Sequence, residues 1–134
     1  MVIVDAGPLV ALFDRSEPLH RACKDALTKV RPPLITTWPA LTEAFYFLKG
    51  WESGQSELWD FILSGAVHIA EIPEDRQTRM MELMEKYSDL PMDLADASII
   101  VISELHKAKT IFTLDHGDFS VYRPKHTPHF RLIP

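Results

Sequence analysis

The sequence predicts an α/β fold of three layers, in which a central and mainly parallel sheet is flanked by helices. Short apolar runs typical of strands alternate along the chain with longer segments whose apolar residues recur at the helical period. The first run, Val2–Val4, is apolar throughout, as expected of a strand that is buried on both faces of a sheet. This alternation favours parallel pairing with right-handed crossovers, and 134 residues fit one domain over residues 1–134.

The composition is that of a globular protein without covalent cross-links. Apolar residues make up 46% of the chain and charged residues 25%, and the one cysteine, Cys23, excludes an intramolecular disulfide. The N-terminal residues lack the basic region of a signal peptide, and no run is long enough for a membrane span, so we expect a cytoplasmic protein that does not bind membranes. The net charge of −5 does not by itself indicate nucleic acid, although a cation at an acidic site would reverse the local field.

The N-terminal half predicts two strands and four helices. The strand at residues 2–4 ends at the turn signal of residues 5–8, and a short helix over residues 9–13 follows. Ser16 is the predicted N-cap of a second helix, which ends before the prolines that precede a strand at residues 34–37. Thr37 is the predicted N-cap of a third helix, which ends before Gly50 and carries Glu43 in its first two turns. A fourth helix is predicted over residues 56–63.

The C-terminal half predicts three strands and two longer helices. Residues 67–72 alternate between apolar and polar and predict a strand, after which Pro73 opens a fifth helix. A sixth helix runs from Asp93 to about Lys107 and is apolar almost all round, which indicates a buried central helix. Residues 110–114 and 130–133 predict the last two strands.

Two aspartates open the sixth helix. Asp93 and Asp96 lie three residues apart, so they share a helix face, where like charges repel. One interpretation is a cap, in which Asp93 accepts the backbone N–H of Asp96 and Asp96 faces the positive end of the helix dipole. The other is a metal site, since a divalent cation would offset the repulsion far more strongly than a helix end.

Other carboxylates fall where the same site could receive them. Asp5 and Asp115 end predicted strands, and Glu43 lies near the start of a helix that follows one. Strand carboxyl ends and helix amino ends share one edge of an α/β sheet, so these side chains should converge. Each also has a structural interpretation: Asp5 in a helix-capping turn, Asp115 and Asp118 in a turn with Gly117 at positive φ, and Glu43 on a solvated helix face. Oxygen ligands without paired His or Cys select Mg²⁺ or Mn²⁺, the ions of phosphodiester hydrolysis.

Four segments together resemble a known family. They are Val2–Leu9, Thr42-Glu43-Ala44, Asp93–Ile99 and Thr113–Phe119, and in this order they resemble the four acidic motifs of PIN-domain ribonucleases, most closely those of VapC-type toxins of toxin–antitoxin systems. The resemblance implies a PIN-like fold and an acidic quartet of Asp5, Glu43, Asp96 and Asp115. Asp5 and Asp96 would be the main metal ligands, Asp115 a further or water-mediated ligand, and Glu43 would hold a water molecule or a second ion. Asp93 adds a fifth carboxylate to the set expected to carry catalysis.

The resemblance also implies a function and partners. It implies a Mg²⁺-dependent endoribonuclease, with Mn²⁺ as a substitute, that cleaves single-stranded RNA, is restrained by an antitoxin protein and forms a homodimer. Candidate RNA contacts are Lys49, Arg123 and Lys125, for which the alternative is a solvated surface. The five aromatic residues of the span from Phe45 to Trp59 are either core or the surface that binds the antitoxin.

Two other functions compete with this interpretation. One is a PIN-like module that binds RNA or protein without catalysis, which the complete set of carboxylates argues against. The other is a metal-dependent phosphohydrolase of another α/β family that uses an aspartyl nucleophile. Asp5-Ala6-Gly7 lacks the second aspartate, two residues on, that haloacid-dehalogenase-like enzymes use.

Overall fold

Five short strands form one parallel sheet with the first strand at its centre. The computed structural model describes residues 1–50 and 53–134. The strands are β1 (Val2–Val4), β2 (Leu34–Thr36), β3 (His68–Ile69), β4 (Thr110–Phe112) and β5 (Arg131–Ile133). The helices are α1 (Ala6–Phe13), α2 (His20–Lys29), α3 (Trp38–Phe47), α4 (Gly54–Leu63), α5 (Gln77–Lys86, after a 3-10 turn at Glu74–Arg76), α6 (Leu94–His106) and α7 (His116–Val121). The strand order is β3-β2-β1-β4-β5, and each neighbouring pair is parallel.

Side chains alternate between the two faces of the sheet and build a core on each. Ile3 points into a cluster with residues of α5, α6 and α7, whereas Val2 and Val4 point into a cluster with residues of α1, α2 and α4. Helix α3 contacts both α1 and α6, and so closes one side of the molecule. The predicted three-layer α/β architecture is therefore confirmed. Cys23 is fully buried, and burial raises the pKa of its thiol to about 11, which makes it an unreactive core residue.

Four helices begin at the carboxyl edge of the sheet with a side-chain cap. Asp5 caps α1, Thr37 caps α3, Asp93 caps α6 and Asp115 caps α7. Three of these caps lie within three residues of the end of a strand. The positive ends of four helix dipoles and three carboxylates are thereby gathered at one edge of the sheet.

Helix α1 packs closely against the end of β4. It begins at Ala6, three residues earlier than predicted, because the capping turn of Asp5 leads straight into the helix. A Cβ atom on Gly7 would lie only 3.2 Å from Cγ of Leu114, so the absence of a side chain at Gly7 permits this approach. Pro8 fits in the first turn because its missing N–H would have no intrahelical partner there.

The boundaries predicted for the third strand and for the second helix were also wrong. The third strand is His68–Ile69 rather than residues 67–72, because its partner β2 ends at Thr36 and no ladder remains beyond the bond from Ala70 N to Thr36 O. Helix α2 begins at His20 rather than after Ser16. The hydroxyl and backbone N–H of Ser16 both donate to Oδ1 of Asp14, so this residue builds a turn instead of a cap.

The aromatic span between Phe45 and Trp59 is only partly in the core. The rings of Phe45 and Trp59 pack together at 4.9 Å, and Leu58 beside them is fully buried. Tyr46 and Phe47, by contrast, are 67% and 62% exposed. Trp51 lies outside the described residues. Within residues 1–50 and 53–134, no helix is long and apolar enough to cross a membrane.

Candidate active site

The five carboxylates singled out in the sequence lie around one open cleft at the carboxyl edge of the sheet. The cleft has a volume of about 440 Å³. Its lining consists of Asp5, Ala6, Gly7, Glu43, Pro91, Asp93, Asp96, Leu114, Asp115 and Asp118. The structure therefore brings together Asp5, Glu43, Asp93, Asp96 and Asp115, and it adds Asp118 as a sixth carboxylate.

Asp5 lies deepest and is held at both of its carboxylate oxygens. Oδ1 accepts the backbone N–H of Ala6 at 2.8 Å, and Oδ2 accepts the hydroxyl of Thr113 at 2.8 Å. The same hydroxyl oxygen accepts the backbone N–H of Asp115 at 3.0 Å. Thr113 thus links the carboxylate at the end of β1 to the residue that caps α7. Its position in the last motif gave no indication of this contact.

Asp93 and Asp96 combine the capping arrangement with a place in the cleft. Oδ1 of Asp93 accepts the backbone N–H of Asp96 at 2.8 Å, so the cap interpretation is confirmed. Both side chains nevertheless line the cleft, since a cap uses one oxygen of Asp93 and none of Asp96. Oδ2 of Asp96 accepts the hydroxyl of Tyr122 at 2.8 Å, a contact between residues 26 positions apart that no sequence pattern signals.

Asp115 and Asp118 repeat this geometry at the start of α7. Oδ1 of Asp115 accepts the backbone N–H of Asp118 at 3.0 Å, three residues on, as Asp93 does for Asp96. The alternative of a turn with Gly117 at positive φ was wrong, because Gly117 lies within the first turn of a helix. The shared Asp-x-x-Asp spacing was the signal that could have placed Asp118 in the site.

Helices α3 and α6, which carry Glu43 and Asp96, are joined at their N-termini. Ser98 of α6 donates its hydroxyl to the carbonyl of Ala95, so its oxygen accepts the hydroxyl of Thr37 at 2.7 Å. Both side chains are fully buried. This contact fixes the separation of the two helix ends across the cleft.

The cleft disfavours negative charge when no cation is present. Burial raises the pKa of Asp5, and the negative charges of Asp93 and Asp115 raise it further. The hydrogen bonds from Ala6 and Thr113 lower this pKa, but by less. Burial raises the pKa of Asp96 to about 7, with further contributions from Asp93, Asp5 and Asp115, while the hydrogen bond from Tyr122 opposes the shift. The pKa values of Glu43 and Asp118 are also raised, in both cases by burial first and then by neighbouring carboxylates.

The donor set fits a hard divalent cation. Six carboxylates line the cleft, and none of its lining residues in the described part of the chain is a Lys, Arg or His. Oxygen donors of this kind suit Mg²⁺ and Mn²⁺. Within residues 1–50 and 53–134, no three Asp, Glu, His or Cys side chains form a preassembled ligand cluster. In proteins, Mg²⁺ typically takes one or two carboxylates and retains several waters.

The predicted RNA contacts do not line the cleft. Nζ of Lys49 lies 6.0 Å from the ring centroid of Tyr46, just beyond α3. Nη1 of Arg123 donates to the carbonyl oxygens of Ser120 and Tyr122. The backbone N–H of Lys125 donates to Oε2 of Glu104, near the end of α6, at 2.7 Å. None of these three cations is among the residues that line the acidic cleft.

Comparison with known proteins places this chain in a family. A family model described as the PIN domain matches residues 2–123, which is most of the chain. The chain belongs to the PIN-domain family. Ribonuclease VapC26 of Mycobacterium tuberculosis is 27% identical over 135 residues, covering 99% of this chain and 100% of that protein. The predicted resemblance to PIN-domain proteins and VapC-type toxins is thus confirmed.

Two solved structures share the architecture of this PIN domain. VapC20 of Mycobacterium tuberculosis, described as a toxin that cleaves the sarcin–ricin loop, superimposes with a TM-score of 0.83 at 17% identity over 95% of this chain and 98% of that one. A chain of a toxin–antitoxin complex from Klebsiella pneumoniae superimposes with a TM-score of 0.71 at 24% identity over 97% of this chain and 99% of that one. At these identities the likeness shows the fold, and the fold extends over nearly the whole length of both proteins.

Proposed function

We propose that this protein is a Mg²⁺-dependent endoribonuclease, with Mn²⁺ as a substitute, that cleaves single-stranded RNA. The observation that carries the proposal is the cleft of six carboxylates in a PIN-domain chain, without a Lys, Arg or His among its described lining residues. Carboxylates so close together require a positive partner in order to remain ionised near neutral pH. A divalent cation supplies that charge and is also the usual cofactor of phosphodiester hydrolysis.

Five of the six carboxylates have a proposed role, which follows the resemblance to PIN-domain ribonucleases. Asp5 and Asp96 would hold the cation, Asp115 would bind it directly or through water, and Asp93 would add negative charge at the same edge. Glu43 would orient a water molecule or hold a second ion. Its raised pKa also suits a group that takes up and releases a proton during the reaction. When bound, the cation would activate a water molecule and stabilise the charge that develops on the phosphate.

The RNA on either side of the cleaved phosphate would extend beyond the cleft, because the cleft lining offers no positive side chain to further phosphates. Lys49, Arg123 and Lys125 are the proposed contacts to the RNA backbone. Lys49 lies over the exposed ring of Tyr46, and a cation beside an aromatic face suits the backbone and bases of a single strand. Such contacts to phosphate would make RNA binding weaken as the salt concentration rises.

We further propose that the protein is the toxin of a type II toxin–antitoxin pair. VapC26 is named a ribonuclease, and the Klebsiella pneumoniae neighbour comes from a toxin–antitoxin complex. A cytoplasmic ribonuclease would need restraint, and an antitoxin would cover the exposed aromatic surface formed by Tyr46, Phe47 and Trp59. An arginine of the antitoxin could also enter the acidic cleft and compete with the cation. We expect a homodimer that carries two antitoxin chains.

Cleavage of a labelled single-stranded RNA by the purified protein tests this proposal. Cleavage should require Mg²⁺ or Mn²⁺, stop with a chelator and be lost in Asp5→Asn, while Glu43→Gln should reduce it sharply. Asp60→Asn, which neutralises an exposed aspartate on α4, is the matched control and should cleave normally. The metal ions should also raise the melting temperature of the parent protein, because they bind the folded state.

Three results would contradict the proposal. RNA that is bound but not cleaved in any metal would indicate a binding module. Hydrolysis of a simple phosphate ester without cleavage of RNA would indicate another phosphohydrolase. Cleavage that persists in Asp5→Asn would assign the activity to a different site.

A further inference from the structure

The hydroxyl of Tyr122 is the one side-chain donor, among the described residues, that contacts Asp96. It donates to Oδ2 of Asp96 at 2.8 Å, and no hydrogen bond within residues 1–50 and 53–134 uses Oδ1. The aspartate therefore has one oxygen that is held by the protein and one that is available in the cleft. Asp93 and Asp115 are likewise held at a single oxygen, but by backbone N–H groups of their own helices.

The ring of Tyr122 is fixed by packing on two sides. Its centroid lies 5.0 Å from that of Tyr87 and 5.0 Å from that of Phe119, both in edge-to-face geometry, and the residue is fully buried. Tyr87 is fixed in turn, because its hydroxyl accepts the backbone N–H of Arg123 at 2.9 Å. A phenol whose ring is held in this way keeps its oxygen beside Oδ2 of Asp96.

We infer that Tyr122 is a positioning residue that orients Asp96 for a divalent cation by occupying Oδ2 and leaving Oδ1 to the cleft. This inference rests on the proposed function. The terminal torsion of an aspartate is soft, so a carboxylate without such a donor could rotate and present either oxygen. Donors that orient a metal ligand typically account for about 10- to 100-fold in metal affinity or activity. The hydroxyl comes from the end of α7 and Asp96 from the start of α6, so it couples the two elements across the site.

The alternative is that Tyr122 is simply a core residue whose hydroxyl needs an acceptor. Tyr122→Phe separates the two roles, because it keeps the ring in the aromatic cluster and removes only the donor. Tyr87→Phe is the matched control. It also removes one hydroxyl from the same cluster, but that hydroxyl accepts the backbone N–H of Arg123 and, within residues 1–50 and 53–134, hydrogen-bonds to no carboxylate.

The test measures the affinity for Mn²⁺ from the electron paramagnetic resonance signal of the free ion, and cleavage of RNA at limiting and at saturating Mn²⁺. Tyr122→Phe should weaken Mn²⁺ binding by about tenfold or more. It should lose cleavage at limiting Mn²⁺ and regain most of it at saturation. Tyr87→Phe should keep the affinity of the parent, even where it lowers the melting temperature by as much as Tyr122→Phe does.

The outcomes distinguish this inference from the proposed function. Suppose that the parent protein binds Mn²⁺ and cleaves RNA. If Tyr122→Phe then binds Mn²⁺ as tightly as the parent, or if Tyr122→Phe and Tyr87→Phe lose affinity equally, the positioning role is wrong and the proposed function stands. A parent that neither binds Mn²⁺ nor cleaves RNA would overturn both.

Discussion

Thr113 donates its hydroxyl to Oδ2 of Asp5 over a distance of 2.8 Å and across 108 positions of the chain. Both residues are buried, and the contact joins the ends of β1 and β4, which are neighbours at the centre of the sheet. The deepest carboxylate of the cleft is thus fixed by the strand that leads to Asp115.

The first prediction concerns the hydroxyl of Thr113. Thr113→Val should leave Oδ2 of Asp5 and the N–H of Asp115 without their partner, which costs about 1–3 kcal/mol for a buried group and should lower metal affinity and RNA cleavage. Thr36→Val is the control, since that buried hydroxyl donates to the carbonyl of Val4 instead of a carboxylate. It should destabilise the protein in urea titrations without changing the affinity for Mn²⁺. Equal losses of affinity in both variants would contradict a specific role for Thr113.

The second prediction concerns the pH dependence of stability without metal. The pKa of Asp96 is about 7 in the folded protein, above the 3.8 of an unperturbed aspartate, so the folded state binds the proton more tightly than the unfolded state. The resulting stability is fully present below about pH 4 and is lost as the pH rises through about 7. Asp96→Asn cannot titrate, so its free energy of unfolding relative to the parent should increase between pH 4.5 and 7.5 in the presence of a chelator. A constant difference over this range would contradict the shift.

The third prediction concerns a buried ion pair remote from the cleft. Nε and Nη2 of Arg79 donate to the two carboxylate oxygens of Glu104 at 2.9 and 2.8 Å, and both side chains are more than four-fifths buried. Arg79→Ala should destabilise the fold by about 3–5 kcal/mol, because it leaves a buried charge without its partner. Asp25→Ala breaks the exposed pair with Arg21 and should change stability by less than about 1 kcal/mol. Urea titrations of both variants measure the contrast.

The fourth prediction concerns the inhibitor. Co-expression with the adjacent gene should relieve the growth arrest that the protein causes alone, and Asp96→Asn should abolish the arrest. Tyr46→Ala with Phe47→Ala should weaken the complex and leave the fold intact, because both side chains are largely exposed. Met81→Ala removes a similarly exposed apolar side chain from α5 and should bind normally. If the complex survives both the double change and Trp59→Ala, the interface lies elsewhere. Loss of binding is also expected for Trp51→Ala, although Trp51 lies outside the described residues.

Local patterns predicted the parts of the fold that local chemistry determines. Thr37 and Asp93 cap the helices expected of them, and Asp5 and Asp115 meet at one edge because parallel strands present their carboxyl ends together. The length of each strand was less predictable. Residues 67–72 alternate like a strand, but their pairing stops where β2 stops.

The contacts that orient the carboxylates were beyond prediction from a single sequence. In the sequence, Tyr122 is an aromatic residue beside basic residues, and nothing there connects it to Asp96. Only the folded arrangement of α6 and α7 brings its hydroxyl to that carboxylate. The same holds for Thr113 and Asp5, since neither a spacing nor a period connects residues so far apart in the chain.

Three of the cleft's acids are also helix caps, and this gives each a second task. Asp5, Asp93 and Asp115 cap α1, α6 and α7. Replacing one of them with alanine therefore removes a negative charge and also the cap of a helix, which lowers the free energy of unfolding by about 0.5–2 kcal/mol. Asparagine caps a helix about as well as aspartate does but carries no charge. A change to asparagine should therefore remove the metal ligand and keep the start of the helix. A chain without catalysis could therefore carry asparagine at all three positions and keep its helices, whereas this chain has the charged residue at each of them.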